Sequence, residues 1–389
     1  MLQNLVLSLG ILAVAPMISF AALNASEFPV AGAIPPVTSP QVKQWLAELD
    51  LTGAPTIQRN SGDPPECPST NDPKVCYWTC DDCAADDVLD CPNKNDWGLT
   101  FDDGPTVATP GLLDFLTQHS VKATFFLIGS NVVKYPEMVV REVTDGHHLA
   151  SHTWSHHALT TLTNEQIVAE LRWTEKAIFD ATGLRVKYMR PPYGDVDNRV
   201  RFVLRKMGYI VVDWTGDTFD SNDWKIPAMS PSSIAQKFES AITGYSSLSA
   251  NNTRGFISLE HDLNDETVSV AKLVIPKGLE AKLNIKTVAS CLGDANGYAG
   301  GNTTANATST TTAPNGRPTG STDGPVHPAS SASRNNVVST LTWSLFASTR
   351  ETQQSIHHMS RLLSLTLVTD KLVWSGLISG AFALGLAIL

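Results

Sequence analysis

Short apolar runs that each end in reactive residues, separated by helix-length stretches, constrain this chain more than any other feature. Leu99-Thr-Phe-Asp-Asp-Gly-Pro105 closes one run on two adjacent carboxylates, and His152-Thr-Trp-Ser-His156 follows about fifty positions later. Arg190-Pro-Pro-Tyr-Gly194 comes after Val186-Lys-Tyr-Met189; Tyr209-Ile-Val-Val-Asp-Trp-Thr-Gly-Asp217 and Phe256-Ile-Ser-Leu-Glu-His-Asp262 complete the series. Each run has the length of a buried strand and delivers its polar residues at its C-terminal end. Between them, Pro110 to His119, Asn131 to Thr144 (kinked or interrupted at Pro136) and Thr163 to Thr182 read as helices, with Lys122 to Ile128 as a strand. Thr163 with Gln166 forms a capping-box pattern and Gly183 a stop; Asp195 or Asp197 starts a helix through Met207 that Gly208 closes, and Ser232 to Thr243 forms another. Such alternation predicts an α/β fold with a mainly parallel sheet or barrel, whose active site gathers at the C-terminal ends of the strands.

The residues gathered there suit metal-assisted hydrolysis. One Asp of the Asp102–Asp103 pair with His152 and His156 makes an oxygen and nitrogen ligand set fitted to Zn²⁺ or a similar divalent ion. Three protein ligands leave positions open for water and substrate, and the second Asp is free to act as a base. An amide is a poor electrophile with a poor leaving group, so its hydrolysis also needs an acid for the departing amine. His261 fills that role, beside Asp102 and the metal. No Gly-x-Ser-x-Gly elbow occurs, which weighs against a serine esterase. His147 and His148 are expected to be structural, and His157 is the one rival ligand.

The ordered set of Thr-Phe-Asp-Asp-Gly, His-Thr-Trp-Ser-His, Arg-Pro-Pro-Tyr-Gly, an Asp and Trp segment and Leu-Glu-His-Asp resembles the polysaccharide deacetylases of the NodB-homology family, the fourth family of carbohydrate esterases. The resemblance covers roughly residues 95–290. It implies a distorted (β/α) barrel of seven or eight strands and metal-dependent removal of acetyl groups from polysaccharides. By motif, it makes Asp102 the base, Asp103, His152 and His156 the metal ligands, and Arg190 the group that orients Asp102. Tyr193 would offer a backbone N–H to the oxyanion, and His261 would be the acid, tuned by Asp217. The fourth segment, Asp217-Thr-Phe-Asp-Ser-Asn-Asp-Trp224, runs longer than the family's Asp-x-x-Asp-Trp, so Asp213 and Asp220 stay in competition with Asp217. Trp214 and Trp224, with Tyr193, are the expected sugar-binding surfaces.

Composition places the chain outside the cell. Residues 1–22 are uncharged and apolar, with Ser19-Phe-Ala21 resembling a cleavage site, and read as a signal peptide; a retained anchor is the alternative. Sequons stand at Asn24, Asn251, Asn302 and Asn306. A net charge of −10 argues against a nucleic-acid partner. Five of the six cysteines, Cys67, Cys76, Cys80, Cys83 and Cys91, cluster, and the sixth is Cys291. If all are oxidised, two pairs form inside the cluster and one cysteine reaches Cys291, closing a loop of roughly 200 residues for about 4–5 kcal/mol on the chain-entropy model. Which one reaches it is open, and Cys80-Asp-Asp-Cys83 also has zinc-ligand spacing.

Residues 23–94 therefore read as a cysteine-rich N-terminal extension and 95–291 as the catalytic domain. Residues 292–371 read as a disordered Ser/Thr-rich stalk and spacer, and 372–389, uncharged throughout, as a GPI-attachment signal, with a tail anchor as the alternative. Together these features resemble the fungal chitin deacetylases. They imply a secreted protein held at the plasma membrane and cell wall, with Zn or Co as cofactor and chitin oligomers as substrate. Acetylxylan and peptidoglycan are the alternative substrates, and a non-catalytic chitin-binding role is the alternative function.

Overall fold

Strand-forming runs too short to span a large sheet are stitched here into two parallel ladders. The computed structural model describes residues 23–67, 72–247 and 253–300. Strands β1 (Asp96–Gly98), β2 (Thr100–Asp102), β3 (Thr124–Leu127), β4 (His148–Ser151), β5 (Tyr188–Met189), β6 (Ile210–Val211), β7 (Phe256–Ile257), β8 (Glu260–His261) and β9 (Asn284–Lys286) alternate with helices. The helices are α1 (Pro40–Ala47), α2 (Trp78–Asp81), α3 (Thr109–Gln118), α4 (Gly129–Lys134), α5 (Pro136–Thr144), α6 (Asn164–Thr182), α7 (Asn198–Lys206), α8 (Pro231–Ser247), α9 (Asp265–Glu280) and α10 (Val288–Cys291). One ladder runs β6-β5-β4-β3-β2-β8 and the other β7-β1-β9, all parallel.

The parallel α/β architecture is as expected, while the described strands pair in two ladders and not in one continuous ladder of seven or eight strands. Continuous backbone joins them through β1–β2 and β7–β8. Opposite, β6 and β7 do not pair as strands; Thr215 N–H to the Ile257 carbonyl, Leu259 N–H to that of Phe219 and Ser221 N–H to that of Leu259 cross the gap, the last two as an isolated parallel bridge between Asp220 and Leu259. The physical reason lies in the polar, Gly-containing stretch after Asp213, which leaves strand geometry before it can complete a ladder.

Local signals explain most helix boundaries. Thr163 and Gln166 bond each other's backbone at the start of α6, and Gly183 ends it at φ 74°, a left-handed conformation that glycine adopts without steric cost. Asp197, not Asp195, caps α7, its carboxylate accepting from Val200 N–H at 2.8 Å. Asp195 instead takes Thr160 N–H and Oγ1 at 2.7 and 2.8 Å. Pro136 divides the expected 131–144 helix into α4 and α5, because proline cannot donate to the preceding turn. The strands of the larger ladder, from β2 through β5 together with β8, are buried along their whole length, as parallel strands flanked by helices must be. No helix among the described residues is long and apolar enough to cross a membrane.

Three disulfides form: Cys67–Cys80, Cys76–Cys83 and Cys91–Cys291. Cys80 and Cys83 therefore belong to separate bridges and offer no zinc site, and Cys91 is the cysteine that reaches Cys291. The extension is also held by Arg201, fully buried, which donates to Asp87 Oδ2 at 2.7 Å and to the carbonyls of Cys76 and Cys83. Past Cys291 the fold continues beyond the expected start of the stalk at 292. The Gly297 carbonyl accepts from His148 Nε2 at 3.0 Å, and Tyr298 Oη accepts from Leu149 N–H at 3.1 Å. The expected signal segment at 1–22, Asn251, Asn302, Asn306, the rest of the expected stalk and the 372–389 segment lie outside the described residues. Asn24 is exposed.

Because Cys91–Cys291 closes 200 residues of chain, the double substitution Cys91→Ser with Cys291→Ser should cost about 2–5 kcal/mol in denaturant unfolding. An unchanged midpoint would contradict this account.

Candidate metal-binding active site

The C-terminal ends of β2, β4, β5 and β8 bring the expected residues into one place. Asp103 leaves β2 at φ 76°, a left-handed backbone that asparagine and aspartate tolerate best among non-glycine residues. Gly104 follows because nothing larger fits: a Cβ there would lie 2.5 Å from both carboxylate oxygens of Asp262. His152 follows β4, and the loop turns back at Thr153 (φ 68°) and His156 (φ 62°) so that both imidazoles face Asp103. Buried Glu170 on α6 shapes this loop by accepting Trp154 N–H at 2.8 Å, Ser155 N–H at 2.9 Å and Ser155 Oγ at 2.5 Å.

The geometry fits a divalent ion. Asp103 Oδ1 lies 3.4 Å from His152 Nε2 and 3.2 Å from His156 Nε2. Ligand atoms of the three residues all lie within 4.8 Å of one another. Asp103 Oδ1 is buried and accepts no hydrogen bond of good geometry, the condition expected of an oxygen whose natural partner is a cation. His152 Nδ1 donates to the Arg190 carbonyl at 2.8 Å, which sets the tautomer with Nε2 free to ligate. Burial alone would raise the Asp103 carboxyl; the imidazoles of His152, His156 and His261 hold it well below the usual carboxylate range. His157 stands apart, bonded to Ser155 Oγ with its Nε2 3.9 Å from Asp63, and does not join the cluster.

On one side of this cluster stands Asp102, 2 % exposed, its Oδ1 taken by Arg190 Nη1 at 2.8 Å. Arg190, fully buried, also donates to Thr100 Oγ1 at 2.7 Å and to the carbonyls of Val212 and Asp213 at 3.2 and 3.0 Å. Asp102 Oδ2 remains turned toward the site, 3.8 Å from His152 Nε2. On the other side is His261, with Nε2 3.9 Å from Asp103 Oδ2. Its Nδ1 donates to Asp223 Oδ1 at 2.6 Å, and its backbone N–H to Asp223 Oδ2 at 2.8 Å. Burial would depress this histidine, but Asp223, helped by Asp103 and Asp102, raises it to about 10.

The partner of His261 is therefore Asp223, and the assignment to Asp217 is corrected: Asp217 opens an exposed 3₁₀ turn. Asp213 is buried with both carboxylate oxygens unpartnered, and burial, with Asp87 nearby, pushes its pKa well above the ordinary range. Asp220 caps the turn before Asp223 by accepting Asn222 N–H. The missed signal was in plain view, since Asp220-Ser-Asn-Asp-Trp224 is itself an Asp-x-x-Asp-Trp pattern. Of the aromatic residues, Trp224 is 52 % exposed and Tyr193 37 %, with Tyr193 stacked edge-on to His156 at 4.8 Å. Trp214 is half-buried between Trp78 and Arg190. Trp97 and Trp154 are core. His147 and His148 are structural, buried and pushed down to about 4 by that burial.

Two buried groups, Asp102 and His261, flank a carboxylate–imidazole cluster that could hold a divalent ion. The comparisons narrow the class. A polysaccharide deacetylase family model matches residues 89–212. Chitin deacetylase 1 of Cryptococcus neoformans var. grubii is 40% identical over 72% of this chain and 61% of its own length. The chitin deacetylase of Amylomyces rouxii is 36% identical over 73% of this chain and 70% of its own. Chitin deacetylase 1 of Saccharomyces cerevisiae is 37% identical over 64% and 77%. This chain belongs to the polysaccharide deacetylase family. The aligned region spans about 61–65% of the length of the first relatives it matches.

Two measurements follow from this geometry. Zn²⁺ titrated calorimetrically into chelator-treated protein should bind, and His156→Ala should weaken binding by at least about 10–100-fold; equal affinities would refute the ligand set. Glu260, buried beside Asp223, is pushed from 4.5 to about 8, burial being the main cause. The folded state thus keeps a proton that the unfolded chain has lost, so stability falls as pH rises from 4.5 to about 8. Glu260→Gln should flatten that slope in denaturant melts, and an unaltered slope would locate the titration elsewhere.

Proposed function

We propose that this protein is a metal-dependent chitin deacetylase, hydrolysing N-acetyl groups of N-acetylglucosamine units to acetate and a free amine. The observation that carries the reading is Asp103 Oδ1, buried and unpartnered between two imidazoles, with Asp102–Arg190 on one flank and His261–Asp223 on the other. Asp103, His152 and His156 would hold the ion, Zn or Co by donor chemistry. Bound there, it supplies Lewis acidity to the acetyl carbonyl and lowers the pKa of water toward about 7.

The chain's own groups carry the protons. Asp102, one oxygen clamped by Arg190, uses the other to take a proton from the attacking water. The new C–O bond places negative charge on the acetyl oxygen, and the Tyr193 backbone N–H, held at φ 62°, is the protein donor assigned to it. His261 Nε2 gives its proton to the amide nitrogen as the C–N bond breaks, so the leaving group departs as an amine rather than an anion. Asp223 keeps that imidazole protonated and oriented. Trp224, with Tyr193, presents an aromatic surface for the sugar.

The extracellular setting belongs to the same reading. Three disulfides suit an oxidising compartment. A signal segment at 1–22, a glycosylated stalk and a GPI signal at 372–389 would hold the enzyme at the plasma membrane beside the wall, with glycans on Asn24, Asn251, Asn302 and Asn306.

Acetate release from chitin oligomers should vanish on chelation and return with Zn²⁺ or Co²⁺. Asp102→Asn and His261→Gln should each lower kcat by about 10²–10⁴-fold, and Asp223→Asn should also reshape the pH–rate profile while Asp217→Asn leaves it unchanged. Release from acetylxylan or peptidoglycan fragments alone would keep the chemistry and replace the substrate. Release from none would favour a chitin-binding role.

A further inference from the structure

The N-terminal extension carries a carboxylate to the edge of the site. Asp63 Oδ2 lies 3.9 Å from His157 Nε2, and its side chain is 43% exposed. The Tyr193 phenol is close enough to Asp63 to interact with it. The Tyr193 ring in turn lies 4.8 Å from that of His156. Asp63, against His157, and Tyr193, against His156, thus lie at neighbouring positions on the edge of the cluster where the acetyl group would react.

The extension holds this carboxylate firmly. Asn60 N–H donates to the Thr160 carbonyl at 3.2 Å, Asn60 Nδ2 to Thr160 Oγ1 at 3.0 Å, and Arg59 Nη1 to the Thr161 carbonyl at 3.3 Å. On the far side, Cys67 is bonded to Cys80. Next to it, Thr79 Oγ1 donates to the carbonyls of Tyr193 and Gly194 at 3.1 and 2.8 Å. Between these anchors Gly62 turns at φ +92°, and a Cβ there would meet the Pro64 carbonyl oxygen at 2.9 Å. The turn is closed by Glu66 N–H to the Ser61 carbonyl at 3.1 Å. A segment anchored at both ends with a turn only glycine can make presents Asp63 at one fixed position.

Each deacetylation leaves an ammonium on a sugar ring. A half-exposed carboxylate beside a partly exposed tyrosine face is a fitting receptor for that group, through ion pairing and cation–π attraction. We propose that Asp63 and Tyr193 form a subsite for a protonated amino-sugar unit neighbouring the reacting one. The enzyme then favours chains already partly deacetylated, and its product ends draw it along the polymer. This inference rests on the deacetylase reading above.

The test separates the two readings. Binding of an all-glucosamine tetramer to the full chain is measured by calorimetry at mildly acidic pH, for wild type, Asp63→Asn and Asp63→Lys. Turnover of an all-acetylated tetramer and of one carrying a single glucosamine unit is measured in parallel. Asp63→Asn should weaken amine-tetramer binding about 3–5-fold, Asp63→Lys should weaken it further, and added salt should shrink the difference. Wild type should turn over the mixed tetramer with the higher kcat/KM; Asp63→Asn should lose that preference while keeping its rate on the all-acetylated one. Equal amine-tetramer affinity in wild type and Asp63→Asn would overturn the subsite. A wild type inactive on both acetylated tetramers, yet losing amine binding in Asp63→Asn, would overturn the deacetylase reading and leave the subsite standing.

Discussion

The site depends on one buried guanidinium. Arg190 has no exposed surface, yet it reaches β2 through Thr100 and Asp102 and the end of β6 through the Val212 and Asp213 carbonyls. Its own carbonyl takes the Nδ1 proton of His152. One residue thus orients the proposed base, sets the tautomer of a proposed ligand and ties three strands at the rim. A buried cation is costly unless every donor is matched, and here the planar fork supplies matched bonds in several directions while its face rests on Phe126 at 4.3 Å. The short parallel strands need such cross-links, because ladders of two to four residues contribute few backbone bonds of their own.

Around this centre the chain accepts local cost for placement. Asp103, Thr153, His156, Tyr193 and Asn222 all hold left-handed backbone, a conformation that costs on the order of 1–3 kcal/mol for many non-glycine residues. Glu170, Asp262 and Gly104 form the support that keeps those turns in place: one carboxylate gathers the His-loop amides, and the other fills the space a side chain on Gly104 would need. The electrostatics follow the same division. Asp103 is held ionised by the imidazoles, while Asp213 and Glu260, buried with fewer partners, are pushed upward.

The extension is part of the site's architecture as well as its tether. Arg201 docks it against α7 and Thr79 against the Tyr193 turn, while the Cys67–Cys80 and Cys76–Cys83 bridges brace it internally. Cys91–Cys291 joins the start of the folded strands to their end. The N-terminal turn at Gly62 then brings Asp63 beside His157 at the edge of the site.

Much of this was legible in the sequence. The strand and helix alternation, the capping box of α6, the break at Pro136, and the gathering of Asp102, Asp103, His152, His156, Arg190 and His261 all follow from period, turn chemistry and strand polarity, which act over a few residues. What the tertiary structure alone decided is of longer range. It paired His261 with Asp223 rather than Asp217, because the 3₁₀ turns between them rotate one carboxylate inward and the other to solvent. It chose Cys91 for Cys291, paired the strands in two ladders, and set Asp63 beside Tyr193. Each of these joins residues distant in sequence or separated by irregular backbone, where no periodicity records which side chains will meet.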